Sequence, residues 1–357
     1  MNKKWSFDEK FFKEKIKEGK STLKQINKDS IEAENIIDMI DTFEELLGKE
    51  KREQNEKVHI NKIIKDLNVV INEDLQKVKI DEWRELKRFC KYMPKIHLNN
   101  INNSELPMDS RCVLNEALRF YHSIDLKVYA ACKKIINSDY SLINLSSKKK
   151  IKRVGGSSDF VYMCEYLNLP FINISYGGDL RYVVTVHELR HAVNYVLYGD
   201  KASTLLGELP SIYSELLFTD KLNLNYDCTN LYNLRINNVS KTMKNIVGYI
   251  NILERFVRHG RELTKNNLVD VLDVSNYRQL LKLYKIILES PYLNGYDYIV
   301  STLVALSYRD SYYNGFNNRI NRNLERILKG DKLKLNYDKL SDKYIDHINY
   351  VYSLSKK

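Results

Sequence analysis

Two histidines and a glutamate give this chain its clearest chemical signal. They stand in the run His187-Glu188-Leu189-Arg190-His191. Side chains four residues apart lie on one face of an α-helix, so both imidazoles can bind one Zn²⁺ at roughly 2.0–2.1 Å. Glu188 lies about 100° around the same helix, where a carboxylate can take a proton from a water molecule. The pattern predicts a zinc site with Glu188 as general base.

A catalytic zinc site needs a third protein ligand. Glu208 is the best candidate, because Pro210 after it suits the first turn of a second helix. Glu208 and Glu215 are seven residues apart and therefore share a helix face. This spacing predicts Glu208 as a zinc ligand and Glu215 as a carboxylate that orients a ligand histidine. Asp200 is the alternative ligand, although its place at the end of the motif helix is typical of a turn.

The segment around the motif indicates which elements position it. The run Phe171-Ile172-Asn173-Ile174-Ser175 alternates apolar with polar residues, as a half-buried strand does. Gly177-Gly178 ends that strand, and Asp179 can cap the helix that follows. Gly199 is well placed to end the helix. We predict a strand followed by the motif helix.

The rest of the chain predicts helices. It has only 13 Gly and five Pro, and apolar residues recur at three- and four-residue spacing, as in Trp83, Leu86 and Phe89. The predicted fold is mainly α, with a small β-sheet beside the motif helix. The length of the chain suits either one large domain or two lobes.

Composition excludes several classes of protein and partner. The five cysteines are widely spaced and form no C-x-x-C pair, which favours reduced thiols in the cytoplasm. No stretch of about 18 apolar residues is present, and the charged first 20 residues do not fit a signal peptide, so no membrane association is predicted. The net charge is +11, and outside the basic run Lys148–Arg153 acidic residues are interleaved with the basic ones almost everywhere. A basic nucleic-acid-binding protein is therefore a weaker hypothesis than a zinc enzyme.

Four blocks, in order along the chain, resemble the oligoendopeptidase F and thimet oligopeptidase group of zinc peptidases. They are Pro170–Ser175, Val186–Ala192, Glu208–Ser211 with Glu215, and Tyr292–Tyr298. The resemblance implies a two-lobed helical metallopeptidase that binds one Zn²⁺ per chain and cleaves short peptides. It implies an N-terminal helical lobe at 1–146 and a catalytic zinc-peptidase lobe at 147–357. It makes His187, His191 and Glu208 the ligands and Glu188 the general base.

The resemblance also implies substrate contacts. In this group the strand before the motif helix is a sheet edge to which an extended peptide adds, a role that falls on Ile172, Asn173, Ile174 and Ser175. Gly155 and Gly156 correspond to a flexible loop on the substrate side, and a plain turn is the alternative. Tyr296 and Tyr298 fall where tyrosines hold the oxyanion, and core packing is the alternative for both.

Several features depart from the group. Arg190 stands where glycine is usual, Ser290-Pro291 replaces an expected histidine, and the separation of His191 from Glu208 is short. The chain is also short for the group, so the N-terminal lobe is expected to be reduced. These departures keep a second hypothesis open: a catalytically inactive scaffold of the same fold that binds zinc or peptides.

Overall fold

The computed structural model describes residues 9–26, 33, 36–37, 40, 44, 60–94, 96, 98, 110–137, 142–145, 160–164, 169–174, 180–198, 205–289 and 292–354. The first helices are α1 Glu9–Thr22, α2 Ile60–Lys77, α3 Ile80–Tyr92, α4 Ser110–Ile124 and α5 Leu126–Asn137. Strands β1 Leu142–Leu145, β2 Phe160–Cys164 and β3 Leu169–Ile174 follow. The remaining helices are α6 Leu180–Tyr198, α7 Leu209–Leu222, α8 Thr229–Arg258, α9 Leu268–Leu272, α10 Tyr277–Glu289, α11 Tyr292–Tyr313, α12 Asn317–Leu328 and α13 Tyr337–Leu354. The prediction of a mainly helical chain is confirmed.

The chain divides into two compact units. The first takes its described residues from Met1–Gln54, Asn103–Ala202 and Pro210–Cys228, and the second from Asn55–Asn102, Ser203–Leu209 and Thr229–Lys357. The predicted lobes 1–146 and 147–357 are continuous, whereas both units draw on segments from either side of residue 146. The reason is packing: α4 and α5 contact α6 in the first unit, and α3 contacts α8 in the second.

The three strands form one sheet in the order β1-β3-β2. Strand β1 runs parallel to β3 and β2 antiparallel, so that Ile172 lies opposite Ile143 on one side and Val161 on the other. Helix α6 packs against β2 and β3.

This order places β3 in the centre of the sheet. The predicted edge position of Ile172, Asn173 and Ile174 is therefore corrected: their backbone groups already face a strand on each side, and the edges are β1 and β2. A part for these three residues in substrate binding stays a prediction.

The second unit is built around the long helix α8. Helices α3, α11 and α13 pack against it, and Trp83 is fully buried among them. The Trp83 ring meets Tyr296 edge-on at 4.9 Å and Tyr249 at 6.0 Å between centroids. Leu86 and Phe89 are buried on the same face of α3, as the three- and four-residue spacing predicts.

None of the helices in the described part of the chain combines the length and the apolar character that a bilayer span requires.

Candidate metal centre

Helix α6 carries the two histidines and is buried on several sides. Val186, Leu189, Ala192 and Val193 are all fully buried, because the helix has neighbours in α4, α5 and the sheet. The Tyr121 hydroxyl donates a hydrogen bond of 2.6 Å to the carbonyl of Val186, one residue before the motif. Apolar packing and this hydrogen bond hold the helix in place under the histidines.

The two imidazoles converge through their Nε2 atoms, which lie 2.9 Å apart. On the other side of the first ring, His187 Nδ1 lies 2.7 Å from Oε1 of Glu215. When this carboxylate accepts the Nδ1–H, the neutral imidazole presents an unprotonated Nε2. Such a tautomer is the one that a metal ligand requires.

Glu208 completes a group that could hold a metal ion. One ligand atom from each of His187, His191 and Glu208 lies within 4.8 Å of the other two. Glu208 immediately precedes α7, whose residues from Pro210 onward belong to the first unit with α6. As expected for its position, Pro210 lies in the first turn of that helix.

The donors of this group fit zinc. Nitrogens 2.9 Å apart and each about 2.0–2.1 Å from an ion would subtend an angle of about 90° there, which is narrower than the angle of a tetrahedral site. Two imidazoles with one carboxylate form one of the donor sets of catalytic zinc sites, which leave a further position open. The donor chemistry therefore suits Zn²⁺, and the two imidazoles would move slightly apart around the ion.

Two more carboxylates accompany the group. Glu215 is buried to 7% exposure in α7, a helix whose residues from Leu209 to Thr219 are all buried. Glu188 is 6% exposed and follows His187 directly on α6. The predicted base is thus a mostly buried carboxylate on the helix of the candidate ligands, where water can compete little for its interactions.

Arg190, which stands where the resembling group usually has glycine, is buried on α6. It is 6% exposed and acts electrostatically on Tyr121 of α4 and Cys132 of α5. Burial raises the pKa of the Cys132 thiol to about 12, and the positive charge of Arg190 opposes that rise. The arginine is therefore accommodated toward α4 and α5.

Two residues near the motif were not predicted from the sequence. Tyr121 supports α6 through its hydroxyl, and burial raises its pKa, so this hydroxyl keeps its proton and remains a donor. Asp297 accepts the backbone N–H of Glu208 at 3.4 Å and the Ser301 hydroxyl at 2.7 Å. The only sequence signal for Asp297 was its position inside the block Tyr292–Tyr298. No sequence pattern around Tyr121 predicts its contact with α6.

The two predicted oxyanion tyrosines have different surroundings. Tyr296 is 2% exposed, packs against Trp83, and its hydroxyl interacts with Tyr337. Burial raises its pKa to about 12. Tyr298 is partly exposed, and its oxygen accepts a hydrogen bond of 3.5 Å from Arg235. The surroundings of Tyr296 are those of a core residue, and an oxyanion role stays a prediction for both tyrosines.

Some predicted positions lie outside the described residues. They are the loop glycines Gly155 and Gly156, the strand end Ser175, the helix boundaries Asp179 and Gly199, the alternative ligand Asp200, and the pair Ser290-Pro291.

Comparisons with known proteins add a distant similarity. No protein-family model and no curated protein matches the sequence. A crystal structure described as that of a "putative oligoendopeptidase F from Bacillus anthracis str. Ames" matches with a TM-score of 0.45 and 12% identity. The match covers 91% of this chain and 63% of that one, so the chain spans less than two thirds of that protein's length. Similarity of this degree assigns neither family nor activity.

Proposed function

We propose that this chain is a zinc-dependent endopeptidase that hydrolyses short peptides. The observation that carries the proposal is the group of His187, His191 and Glu208, with Glu215 at the first histidine and Glu188 on the same helix. Among the described residues this group has three candidate ligands, whereas a structural zinc site has four protein ligands and no use for a buried carboxylate beside the motif. This donor set instead resembles a catalytic site with an open position.

Each residue of the proposed site would have a separate chemical role. A bound zinc ion supplies Lewis acidity, which polarises a carbonyl and lowers the pKa of water toward about 7. Glu188 takes the proton of the attacking water and delivers it to the leaving amine. Glu215 holds His187 in the tautomer that exposes Nε2. The Tyr298 hydroxyl would donate a hydrogen bond to the developing oxyanion, while its own oxygen accepts one from Arg235.

The proposed compartment is the cytoplasm, and the proposed partners are short peptides, with no nucleic acid and no membrane. No disulfide joins the described cysteines Cys90, Cys112, Cys132 and Cys228. Thiols that are mostly buried and reduced are typical of a reducing compartment.

The decisive experiment compares the zinc-loaded parent with Glu188→Gln on a library of quenched short peptides, with zinc content measured on both samples. We expect the parent to cleave, and the variant to hold zinc while losing at least 100-fold in rate. Zinc in both proteins with cleavage by neither would favour the scaffold hypothesis. Absence of zinc from both would refute the metal site itself.

A separate substitution tests Glu208 as the third zinc ligand. Glu208→Ala should lose zinc while the thermal transition of the zinc-free protein stays in place, because Glu208 precedes α7 and does not belong to its buried face. Glu116→Ala removes a carboxylate paired with Arg119 at 2.7 Å on the surface of α4 and should leave zinc binding unchanged.

A further inference from the structure

The short turn that carries Glu208 has an unusual backbone conformation. Leu206, two residues earlier, has a φ of 62°, in the left-handed region that residues other than glycine seldom adopt. Its carbonyl accepts the N–H of Leu209 at 3.2 Å, which closes the turn around Glu208. A leucine in this conformation costs backbone energy, so its surroundings must hold the turn in place.

Burial of apolar side chains supplies part of that support. Leu206 is 6% exposed and Leu209 is fully buried, so both ends of the turn are anchored by packing. Glu208 lies between these two leucines and is only partly buried. Its side chain is therefore accessible to an ion while its backbone is held at either end.

Asp297 adds a polar contact to the same turn. Its Oδ2 atom accepts the backbone N–H of Glu208 at 3.4 Å, and its Oδ1 atom accepts the Ser301 hydroxyl, one helical turn further along α11, at 2.7 Å. Asp297 is 7% exposed and Ser301 is fully buried, so water competes little for either hydrogen bond. Asp297, Ser301 and Glu208 all belong to the second unit. Ser301 thus fixes the orientation of the carboxylate that holds the turn.

We propose that Asp297 is a positioning residue for the third zinc ligand, and that it acts by holding the turn in which the Glu208 carboxylate is ready to bind the ion. Without Asp297 the Glu208 N–H loses a buried acceptor, and the strain at Leu206 favours other conformations of the turn. A ligand that is in place for only part of the time binds its metal more weakly in proportion. The identity of the ion as zinc rests on the proposed function.

Zinc affinity of the Asp297→Ala protein tests this role. Competition with a chromophoric chelator at pH 7.5 should give an affinity about 10- to 100-fold below that of the parent, the usual effect of removing a group that orients a ligand. The matched control is Asp310→Ala on the same helix, which removes a carboxylate paired with Lys343 at 2.6 Å on the surface. This control should keep the affinity of the parent. Equal affinity of Asp297→Ala and the parent would overturn the proposal.

Asp297→Asn tests whether hydrogen bonding is the means of positioning. The amide can present its oxygen to the Glu208 N–H and its NH₂ group to the Ser301 oxygen. This variant should therefore recover most of the zinc affinity that Asp297→Ala loses. A loss as large as that of Asp297→Ala would contradict positioning through these two hydrogen bonds.

Hydrogen exchange in the zinc-free proteins tests the turn directly and needs neither metal nor cleavage. The Glu208 amide should be protected in the parent and should exchange about tenfold faster in Asp297→Ala. Amides in the middle of α11, such as that of the fully buried Leu303, should keep their rates. Equal acceleration of both amides would assign Asp297 a general structural role and overturn the proposal. If Asp297→Ala does not fold, as judged by circular dichroism, an unprotected Glu208 amide in the parent would overturn it as well.

The outcomes separate this inference from the proposed function. Absence of zinc from the parent refutes the metal site, while the exchange rate of the Glu208 amide still shows whether Asp297 holds the turn. Zinc binding and cleavage that are both unchanged in Asp297→Ala refute only the role of Asp297.

Discussion

The contact between Glu215 and His187 is the strongest single feature of the candidate site. Oε1 of the carboxylate lies 2.7 Å from Nδ1 of the ring, and both side chains are largely buried, so the pair is little screened by solvent. Sequence spacing alone predicted Glu215 as an orienting carboxylate. The structure places it against His187, one of the two candidate ligand histidines.

Glu215→Gln should lower zinc affinity by about 10- to 100-fold, because the amide orients His187 less firmly and lowers the basicity of its Nε2. The measurement is competition for zinc with a chromophoric chelator at pH 7.5. Glu116→Gln on the surface of α4 serves as the control carboxylate. Unchanged zinc affinity in Glu215→Gln would show that His187 is not a ligand or needs no such support.

The two tyrosines can be separated by removing only their hydroxyl groups. Tyr298→Phe should lower kcat by about 100- to 1,000-fold if its hydroxyl stabilises the oxyanion. Tyr296→Phe should leave kcat nearly unchanged and lower the free energy of unfolding by about 1 kcal/mol, because its hydroxyl interacts with Tyr337 in the core. Steady-state kinetics and urea denaturation measure the two effects. The reverse pattern would assign the oxyanion role to Tyr296.

Between elements, a buried carboxyl links α2 to α8. Asp74 is 3% exposed and accepts a hydrogen bond of 2.6 Å from the Tyr249 hydroxyl. Burial raises the pKa of Asp74, and the tyrosine opposes that rise. The hydroxyl therefore makes a charged carboxylate tolerable at the interface of the two helices.

Tyr249→Phe should reduce the free energy of unfolding by about 1–3 kcal/mol, because it leaves Asp74 without its donor. Because burial raises the pKa of Asp74, the loss should shrink as pH falls and the carboxyl becomes protonated, since a protonated carboxyl needs that donor less. Urea denaturation at a series of pH values measures it. Tyr92→Phe is the matched control, because Tyr92 is 83% exposed. Equal stability of Tyr249→Phe and the control would contradict the prediction.

Local patterns explain which elements the sequence could predict. The face of Trp83, Leu86 and Phe89 and the helix around His187 were predictable, because helical periodicity and the HExxH spacing are local properties. The central position of β3 was not, because β1 and β2 carry no comparable alternation and strand order depends on pairing between distant segments. The hydrogen bond from Tyr121 to the carbonyl of Val186 was not predictable either. It connects residues 65 positions apart, and no local pattern in a single sequence indicates such a contact.

At the scale of the whole molecule, His347 should make stability depend on pH. Burial, reinforced by the charges of Arg309 and Arg235, lowers its pKa to about 3 in the folded chain, against 6.5 as the ordinary value. Between these values the unfolded chain binds a proton that the folded chain does not, so stability is lost as pH falls from 6.5 toward 3. The contribution amounts to at most about 1.4 kcal/mol for each pH unit.

The comparison of the parent with His347→Gln isolates this effect. Between pH 6.5 and pH 5 the parent should lose up to about 2 kcal/mol more of its unfolding free energy than the variant does. The titration of other groups, Asp74 among them, acts in both proteins and cancels in the difference. Urea denaturation at several pH values gives both curves. Parallel curves would show that His347 is not a buried neutral base.

The discontinuous make-up of the units determines when each can form during synthesis. Tyr284 donates to Asp66 across 218 positions of the chain, and α3 finds its partner α8 only after residue 229. The apolar faces of α2 and α3 therefore leave the ribosome well before the helices that cover them. Until then Trp83 and Ile71, both fully buried in the finished protein, present a surface to which chaperones bind.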